Sequence, residues 1–185
     1  MLRKGGPYSS KLEKAAIAVG RLAPEKGFDL LIDAWKIVHA KRPDWILRIV
    51  GSGDQYAALH EKVKRLDLEA CIHFVATAPN LEVLYVNSSI YVLTSQFEGF
   101  GMVLLEAKSH GLPIVSFDCD CGPREVVRHG YDGILVEPND TSSLSGAILD
   151  LIQNDSKRLT FGERASLDDR FDMERVLKKW LDLFV

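Results

Sequence analysis

The sequence predicts one doubly wound α/β domain, in which helices cover both faces of a six-stranded parallel sheet. Six short apolar runs alternate with stretches whose apolar residues recur at helical spacing. Short strands that are apolar on both faces are typical of parallel sheets buried between two layers of helices. At 185 residues and 46% hydrophobic composition, the chain is long enough for one well-packed domain and too short for two such domains.

The first three strands are each followed by a helix. Residues 1–13 are polar and glycine-containing, so we expect a linker or lead-in there. The apolar face that begins at Phe28 repeats at helical spacing until Pro43 ends it. The predicted elements of this half are strands 15–19, 45–50 and 71–75, the helix after Phe28, and helices 54–66 and 80–86.

The second half repeats the alternation. A helix that begins near Gly101 is expected to end at Gly111, and Asp140 or Thr141 is expected to cap a later one. The predicted elements are strands 90–94, 113–117 and 133–136 and helices 101–111, 123–129, 141–153 and 171–184. Ligands of such sheets bind beyond the carboxyl ends of the strands, so each candidate site below lies in one of those loops.

Charge and cysteine content exclude several classes of protein. The net charge is −3 and the basic residues are scattered, which argues against a nucleic-acid-binding protein. No apolar run approaches the roughly 20 residues of a membrane span, and no signal peptide is recognisable. Three cysteines do not make a disulfide framework and fit a reducing compartment. We therefore expect a cytoplasmic protein, or one bound peripherally to a membrane.

Two carboxylates flank the glycine-rich turn between strand 90–94 and the helix that follows it. Gly99 and Gly101 free the backbone for a tight turn, and the amides around Gly101 to Val103 form a helix start that favours an anion. Eight helical residues rise about 12 Å, so Glu98 and Glu106 are predicted to hold opposite ends of an extended ligand. The anionic middle of that ligand would lie on the helix start.

Two cations follow the first strand. Arg21 and Lys26 are flanked by Gly20 and Gly27, which permit close backbone approach. An arginine grips two oxygens of a diphosphate in a fork and a lysine adds a point charge. For this loop taken alone, the alternative is a pair of solvated surface charges.

Two further patterns suggest other chemistry. Gly51-Ser-Gly53 resembles the start of a dinucleotide fingerprint, but Tyr56 replaces its third glycine. Asp118-Cys-Asp-Cys121 suggests a metal site, yet no second paired cluster completes four ligands, and we expect no metal. If this segment were extended, its side chains would alternate, so the two cysteines would lie on one side and the two aspartates on the other.

The motif Ser-x-x-Glu-Gly-Phe-Gly-x-x-x-x-Glu-Ala, from Ser95 to Ala107, resembles the signature of the family 4 retaining glycosyltransferases of GT-B architecture. Gly-Arg-Leu-x-x-x-Lys-Gly, from Gly20 to Gly27, resembles the diphosphate loop of the same family. The resemblance implies a Rossmann-like carboxyl-terminal half, with residues 14–185 as the donor-binding domain and the amino-terminal acceptor domain absent.

The resemblance also implies roles for individual residues. Glu98 would lie against the donor sugar, Glu106 would bind the ribose, and Arg21 and Lys26 would bind the diphosphate and stabilise its departure. The implied catalytic residues are Glu98, Arg21 and Lys26. The implied donor-binding residues are Glu106, Gly99, Phe100, Gly101, Met102, Val103, Gly20, Gly51, Gly53 and Thr77, the last of these lying in a loop that receives the base edge.

The form Phe-Asp-Cys-x-Cys-Gly-Pro-x-Glu resembles a subset of this family that builds bacterial surface polysaccharides of the O-antigen type. It implies a UDP-sugar donor, including N-acetylhexosamines, and a lipid-diphosphate-linked glycan acceptor bound through the absent domain. No metal or other cofactor is expected, and the full enzyme would lie at the inner face of the cytoplasmic membrane.

Three alternatives remain at the sequence level. A glycosidase also uses two carboxylates, but it has no need for Arg21, Lys26 and an anion-binding helix start. A sugar-nucleotide epimerase of related architecture would alter the donor sugar. A non-catalytic nucleotide-sugar-binding module would keep the binding residues alone.

Overall fold

Six parallel strands form a sheet in the computed structural model, which describes residues 13–76 and 80–182. They are β1 Ala15–Val19, β2 Ile46–Val50, β3 Ile72–Val75, β4 Ile90–Leu93, β5 Ile114–Phe117 and β6 Gly133–Val136. The strand order is β3-β2-β1-β4-β5-β6, and every neighbouring pair is parallel. The predicted six-stranded parallel sheet is therefore confirmed.

Helices connect the strands as the sequence predicts, with one addition. The helices are α1 Phe28–Lys41, α2 Tyr56–Arg65, α3 Leu81–Val86, α4 Met102–Ser109, α5 Pro123–Val126, α6 Thr141–Gln153, α7 Asp155–Ser166 and α8 Met173–Leu181, and a 3₁₀ turn spans Pro24–Lys26. None of the helices in the described ranges combines the length and the apolarity needed to cross a bilayer. The predicted lead-in before residue 13 and the end of the last helix at Phe184 lie outside those ranges.

The sequence did not predict helix α7, and it overextended helix α5. Only Phe161, Gly162 and Ala165 of α7 are buried, so its apolar periodicity is too weak to mark a helix. Helix α5 ends at Val126 instead of continuing to residue 129, because Val127 already has extended backbone angles. Asp140 caps α6 by accepting a hydrogen bond from the backbone N–H of Ser143 at 2.8 Å.

Both faces of the sheet are covered. Ala16 and Ala18 of β1 belong to a core cluster with helices α1 and α6, whereas Ile17 between them belongs to a second cluster with α3 and α4. All three side chains are at most 1% exposed. This alternation along one strand shows that β1 is buried between two helical layers, as the apolar runs predict.

The connection order reverses between β1 and β4, the two strands at the centre of the sheet. Strands β2 and β3 lie on one side of this switch point, and β5 and β6 lie on the other. A crevice opens at such a point beyond the carboxyl ends of the strands. The loops that follow β1 and β4 therefore flank the crevice, and these loops carry Lys26 and Glu98.

A buried cluster of charges anchors α4. Lys108 is 3% exposed, and its Nζ donates to Asp132 Oδ2 at 3.0 Å and also to Asp168. Arg128 contacts Asp132 at 2.6 Å, and Arg170 contacts Asp168 at 2.8 Å. Burial alone would raise the pKa of Asp168, but hydrogen bonds from Arg170 and Lys108 lower it well below its ordinary value. The cluster ties α4 to the segment between α7 and α8.

Candidate functional site

The loops after β1 and β2 pack backbone against backbone. Leu22 N–H donates to Ser52 O at 2.9 Å. Gly51 has a φ of +147°, and a Cβ placed on it would lie 1.9 Å from Gly20 O, while one on Gly53 would lie 2.4 Å from Leu22 O. Since only glycine fits so close an approach, Gly51 and Gly53 shape the crevice wall instead of offering side chains to it, whereas a Cβ on Gly20 would meet its nearest neighbour, Phe28, at an ordinary 3.5 Å.

The 3₁₀ turn Pro24–Lys26 is fastened to the end of β4. Thr94 Oγ1 donates to Lys26 O at 3.0 Å, and Gln96 N–H donates to Glu25 O at 2.9 Å. Gly27 has a φ of +61°, and a Cβ there would meet Thr94 O at 2.2 Å. These contacts fix Lys26 at the switch point, although the sequence gives no sign that Thr94 and Gln96 do so.

Lys26 and Glu98 meet across the crevice. Lys26 Nζ lies 2.6 Å from Glu98 Oε1, and the two side chains are 22% and 9% exposed. Ser95 Oγ, which is buried, donates to the same Oε1 at 2.6 Å. Glu98 is thus a buried carboxylate held by one charged and one neutral donor, and it lies in the loop after β4, as the sequence predicts.

Arg21 does not join this pair. It forms an ion pair with Glu25, and 71% of its side chain is exposed. A backbone hydrogen bond and the Arg21 guanidinium lower the pKa of Glu25. Exposed pairs of this kind hold a side chain only weakly. The structure therefore brings Lys26 to Glu98, while Arg21 lies on the outer rim of the loop.

Glu98 and Glu106 are not separated by a continuous helix. Gly101, with a φ of +77°, caps α4, which begins at Met102. Glu98 therefore lies in the loop before the helix, and the rise of about 12 Å predicted for eight helical residues does not describe this step. Val103 is half-buried in the first turn. The predicted order of strand, turn and helix is confirmed.

Apolar side chains surround the turn. Phe97 and Met102 are each 61% exposed, and Phe100 is 42% exposed. The Phe100 ring stands edge-on to Phe171, with 5.6 Å between the ring centroids. Phe97 was not among the predicted site residues, although its place one residue before Glu98 could have indicated it.

The loop after β5 closes against the turn. Phe97 and Asp120 form an isolated parallel bridge, and a Cβ on Gly122 would lie 3.2 Å from Glu98 Cβ. The predicted alternation of side chains is wrong here, since Cys119 is buried and Cys121 is exposed. Strand β5 ends at residue 117, and Cys121 has a φ of +62°, so extended geometry does not continue through the loop.

Glu106 lies in the second turn of α4 and contacts a buried tyrosine. Tyr85 Oη donates to Glu106 Oε2 at 3.1 Å. Burial and the nearby charge of Glu106 raise the pKa of Tyr85 well above its ordinary value, which keeps the hydroxyl a donor. His110 is half-buried and stacks on Tyr85 at 5.0 Å between ring centroids. The sequence predicted neither the hydrogen bond from Tyr85 to Glu106 nor the stacking of His110 on Tyr85.

Two further expectations concern Thr77 and the binding of a metal. Thr77, the predicted base-edge residue, lies outside the described residues, as do its two following neighbours. Within residues 13–76 and 80–182, no group of three or more histidine, cysteine, aspartate or glutamate side chains is arranged to hold a metal ion.

Known proteins are similar to this chain in both sequence and fold. The family profile described as glycosyl transferases group 1 matches residues 8–168. An uncharacterized glycosyltransferase of Haemophilus influenzae is 36% identical over 92% of this chain and 49% of its own length. The amylovoran biosynthesis glycosyltransferase AmsD of Erwinia amylovora is 35% identical over 94% of this chain and 49% of its own length.

A solved structure matches with a TM-score of 0.89. It is a mutant of TarM from Staphylococcus aureus in complex with fondaparinux, alpha-GlcNAc-glycerol and UDP, 28% identical over 96% of this chain and 36% of that chain. The chain thus spans about half the length of the first two relatives it matches, and a smaller share of TarM.

Proposed function

The chain belongs to the glycosyl transferases group 1 family, and we propose that it is the donor-binding half of a retaining, family 4 glycosyltransferase. Its donor is a UDP-sugar, including UDP-N-acetylhexosamines, and its acceptor is a lipid-diphosphate-linked glycan of a bacterial surface polysaccharide of the O-antigen type. The full enzyme works in the cytoplasm at the inner face of the cytoplasmic membrane. Because the relatives are about twice as long, the acceptor site is assigned to a segment outside this chain.

The Lys26–Glu98 pair at the switch point is the observation that carries the proposal. A carboxylate beside a diphosphate would repel it unless a cation lay between them. We assign Lys26, whose Nζ lies 2.6 Å from Glu98 Oε1, to that position. An ammonium group has three donors, so Lys26 can contact Glu98 and a phosphate oxygen at the same time. A glycosidase would have no use for such an arrangement.

The remaining binding residues are assigned around this pair. Arg21 leaves Glu25 and swings from the rim onto the diphosphate, which costs little because its present ion pair is exposed. The amides at the start of α4, around Gly101, Met102 and Val103, face the same anion. Gly51 and Gly53 let the loops after β1 and β2 pack backbone against backbone, and with Gly20 they are assigned to the wall beside the donor. Thr77 lies in the loop assigned to the base.

The chemistry we propose is departure of UDP from the same face of the sugar on which the acceptor attacks, so that the anomeric configuration is retained. Lys26 and Arg21 stabilise the negative charge that develops on the leaving diphosphate. Glu98, with Gly99 and Phe100 beside it, orients the donor sugar. Catalysis in this scheme depends on positioning and on these charges, and it needs no metal ion.

The first experiment tests the phosphate assignment by calorimetry. Lys26→Met should weaken UDP binding by about 10- to 100-fold and uridine binding by less than about twofold, because only UDP carries the diphosphate. Lys62→Met is a matched control, since Lys62 is 18% exposed and pairs with Asp33 at 2.7 Å. Equal losses for UDP and uridine in Lys26→Met would contradict the proposal.

Glu98 is tested by comparing UDP with UDP-N-acetylglucosamine. Glu98→Gln should leave UDP affinity unchanged or slightly raised, because it removes a negative charge near the phosphates, and it should abolish any preference between the two ligands. Glu106→Gln should weaken both. If Glu98→Gln reduced the affinity for UDP as strongly as Glu106→Gln does, the assignment of the sugar to Glu98 would be wrong.

Transfer is tested with labelled UDP-N-acetylhexosamine and a lipid-diphosphate acceptor. The 185-residue chain should bind UDP but transfer no sugar, because the acceptor site and the water-excluding closure are assigned elsewhere. Turnover by this chain at a rate matching that of a full-length relative would refute the view that it is one half of an enzyme.

A further inference from the structure

We infer that Tyr85 is a positioning residue for the nucleotide, because it holds the Glu106 carboxylate in the orientation that receives the ribose hydroxyls. The inference rests on the proposed role of Glu106 at the ribose. Tyr85 lies in helix α3, 21 residues before Glu106, and no residue pattern of the sequence connects the two.

The hydroxyl of Tyr85 fixes one oxygen of the carboxylate. It donates to Glu106 Oε2 at 3.1 Å, which leaves Oε1 to accept from a ligand. Glu106 is half-buried on α4 and would otherwise rotate about three side-chain bonds. A carboxylate held in one plane recognises neighbouring hydroxyls better than a rotating one, since less freedom is lost when the ligand binds.

The Tyr85 ring is itself held rigidly. It is 2% exposed and lies between two rings, with the Tyr91 centroid at 6.1 Å and the His110 centroid at 5.0 Å. His110 Nδ1 lies 2.8 Å from the backbone oxygen of Glu106, so the stack is tied to the same turn of α4. The orientation of Glu106 is thus set by packing in the second core cluster.

Tyr91 provides a matched control within the same stack. It is also a fully buried tyrosine, but its hydroxyl donates to the backbone oxygen of Val19 at 3.3 Å instead of to a carboxylate. Tyr85→Phe and Tyr91→Phe each remove one buried hydroxyl and keep the ring. A purely structural role for these hydroxyls would affect ligand binding in the two variants alike.

The experiment measures the affinities of UDP and of 2′,3′-dideoxy-UDP for the 185-residue chain and its variants by calorimetry. The ratio of the two affinities reports the ribose hydroxyls alone, and the unaltered chain should favour UDP by about 10-fold or more. Tyr85→Phe should lower this ratio by about 3- to 10-fold, whereas Tyr91→Phe should leave it within about twofold. Thermal melts of both variants show whether they remain folded.

Glu106→Gln separates this inference from the proposed function. If Glu106→Gln loses the preference for UDP and Tyr85→Phe keeps it, the role of Tyr85 is refuted while the role of Glu106 stands. If Glu106→Gln keeps the preference, the ribose assignment fails, and the inference about Tyr85 fails with it. A loss of the preference in Tyr91→Phe equal to that in Tyr85→Phe would also overturn the inference.

Discussion

Replacement of Lys108 by methionine should destabilise the protein strongly, although the two side chains have similar length. Lys108 is 3% exposed and contacts Asp132 and Asp168, which are themselves buried. The substitution leaves two buried carboxylates without the cation between them. Breaking a buried ion pair from one side costs about 3–5 kcal/mol where the remaining charge is left uncompensated.

The ion pairs that remain in the Lys108→Met variant place the loss of stability near the lower end of this range. Asp132 keeps Arg128 at 2.6 Å and Asp168 keeps Arg170 at 2.8 Å, so neither carboxylate is left without a cation. We therefore expect a loss of about 3 kcal/mol. For a chain of this size, 1 kcal/mol corresponds to about 2–4 °C in Tm, so the predicted decrease is roughly 6–12 °C.

Urea unfolding followed by circular dichroism measures this loss, with Lys14→Met as the control. Lys14 pairs with Asp44 at 2.8 Å, but its side chain is 62% exposed. Exposed pairs contribute about 0–1 kcal/mol, so the control should change stability little. If Lys108→Met lost no more free energy of unfolding than Lys14→Met, the buried cluster would not anchor α4.

Four further predictions concern stability. Gly51→Ala should prevent stable folding or cost more than about 2 kcal/mol in urea unfolding, because the new Cβ would lie 1.9 Å from Gly20 O at a φ of +147°. Gly146→Ala, in α6 with nothing within 4 Å of the new Cβ, should instead stabilise by about 0.5–1 kcal/mol, and a loss would contradict this. Asp140→Ala should cost about 1 kcal/mol by removing the cap of α6, while an unchanged midpoint would count against that cap. The pKa of Asp168 is lowered in the folded state, so its contribution to the free energy of unfolding is complete above the ordinary pKa of about 4 and is lost as the pH falls further. In the Asp168→Asn variant, the free energy of unfolding should therefore decrease less steeply with falling pH below about pH 5. An unchanged slope would refute this prediction.

Local patterns were sufficient for most of the secondary structure. Strands β1 and β6 occupy the predicted residues, because a short apolar run between turn residues has few other ways to be buried in a parallel sheet. Helix α7 was missed for the opposite reason, since few of its side chains reach the core. The alternation predicted for Cys119 and Cys121 failed because the chain leaves extended geometry at residue 117.

The sequence by itself determined which residue types stand at the carboxyl ends of the strands, including Lys26 after β1 and Glu98 after β4. Those assignments depend only on neighbouring residues. Only the tertiary structure decided that Lys26 reaches Glu98 while Arg21 turns to Glu25, and that Tyr85 holds Glu106. The physical reason is that Lys26 meets Glu98 through the strand order and Tyr85 meets Glu106 through packing between helices, and neither of these two contacts follows from a local pattern of the sequence.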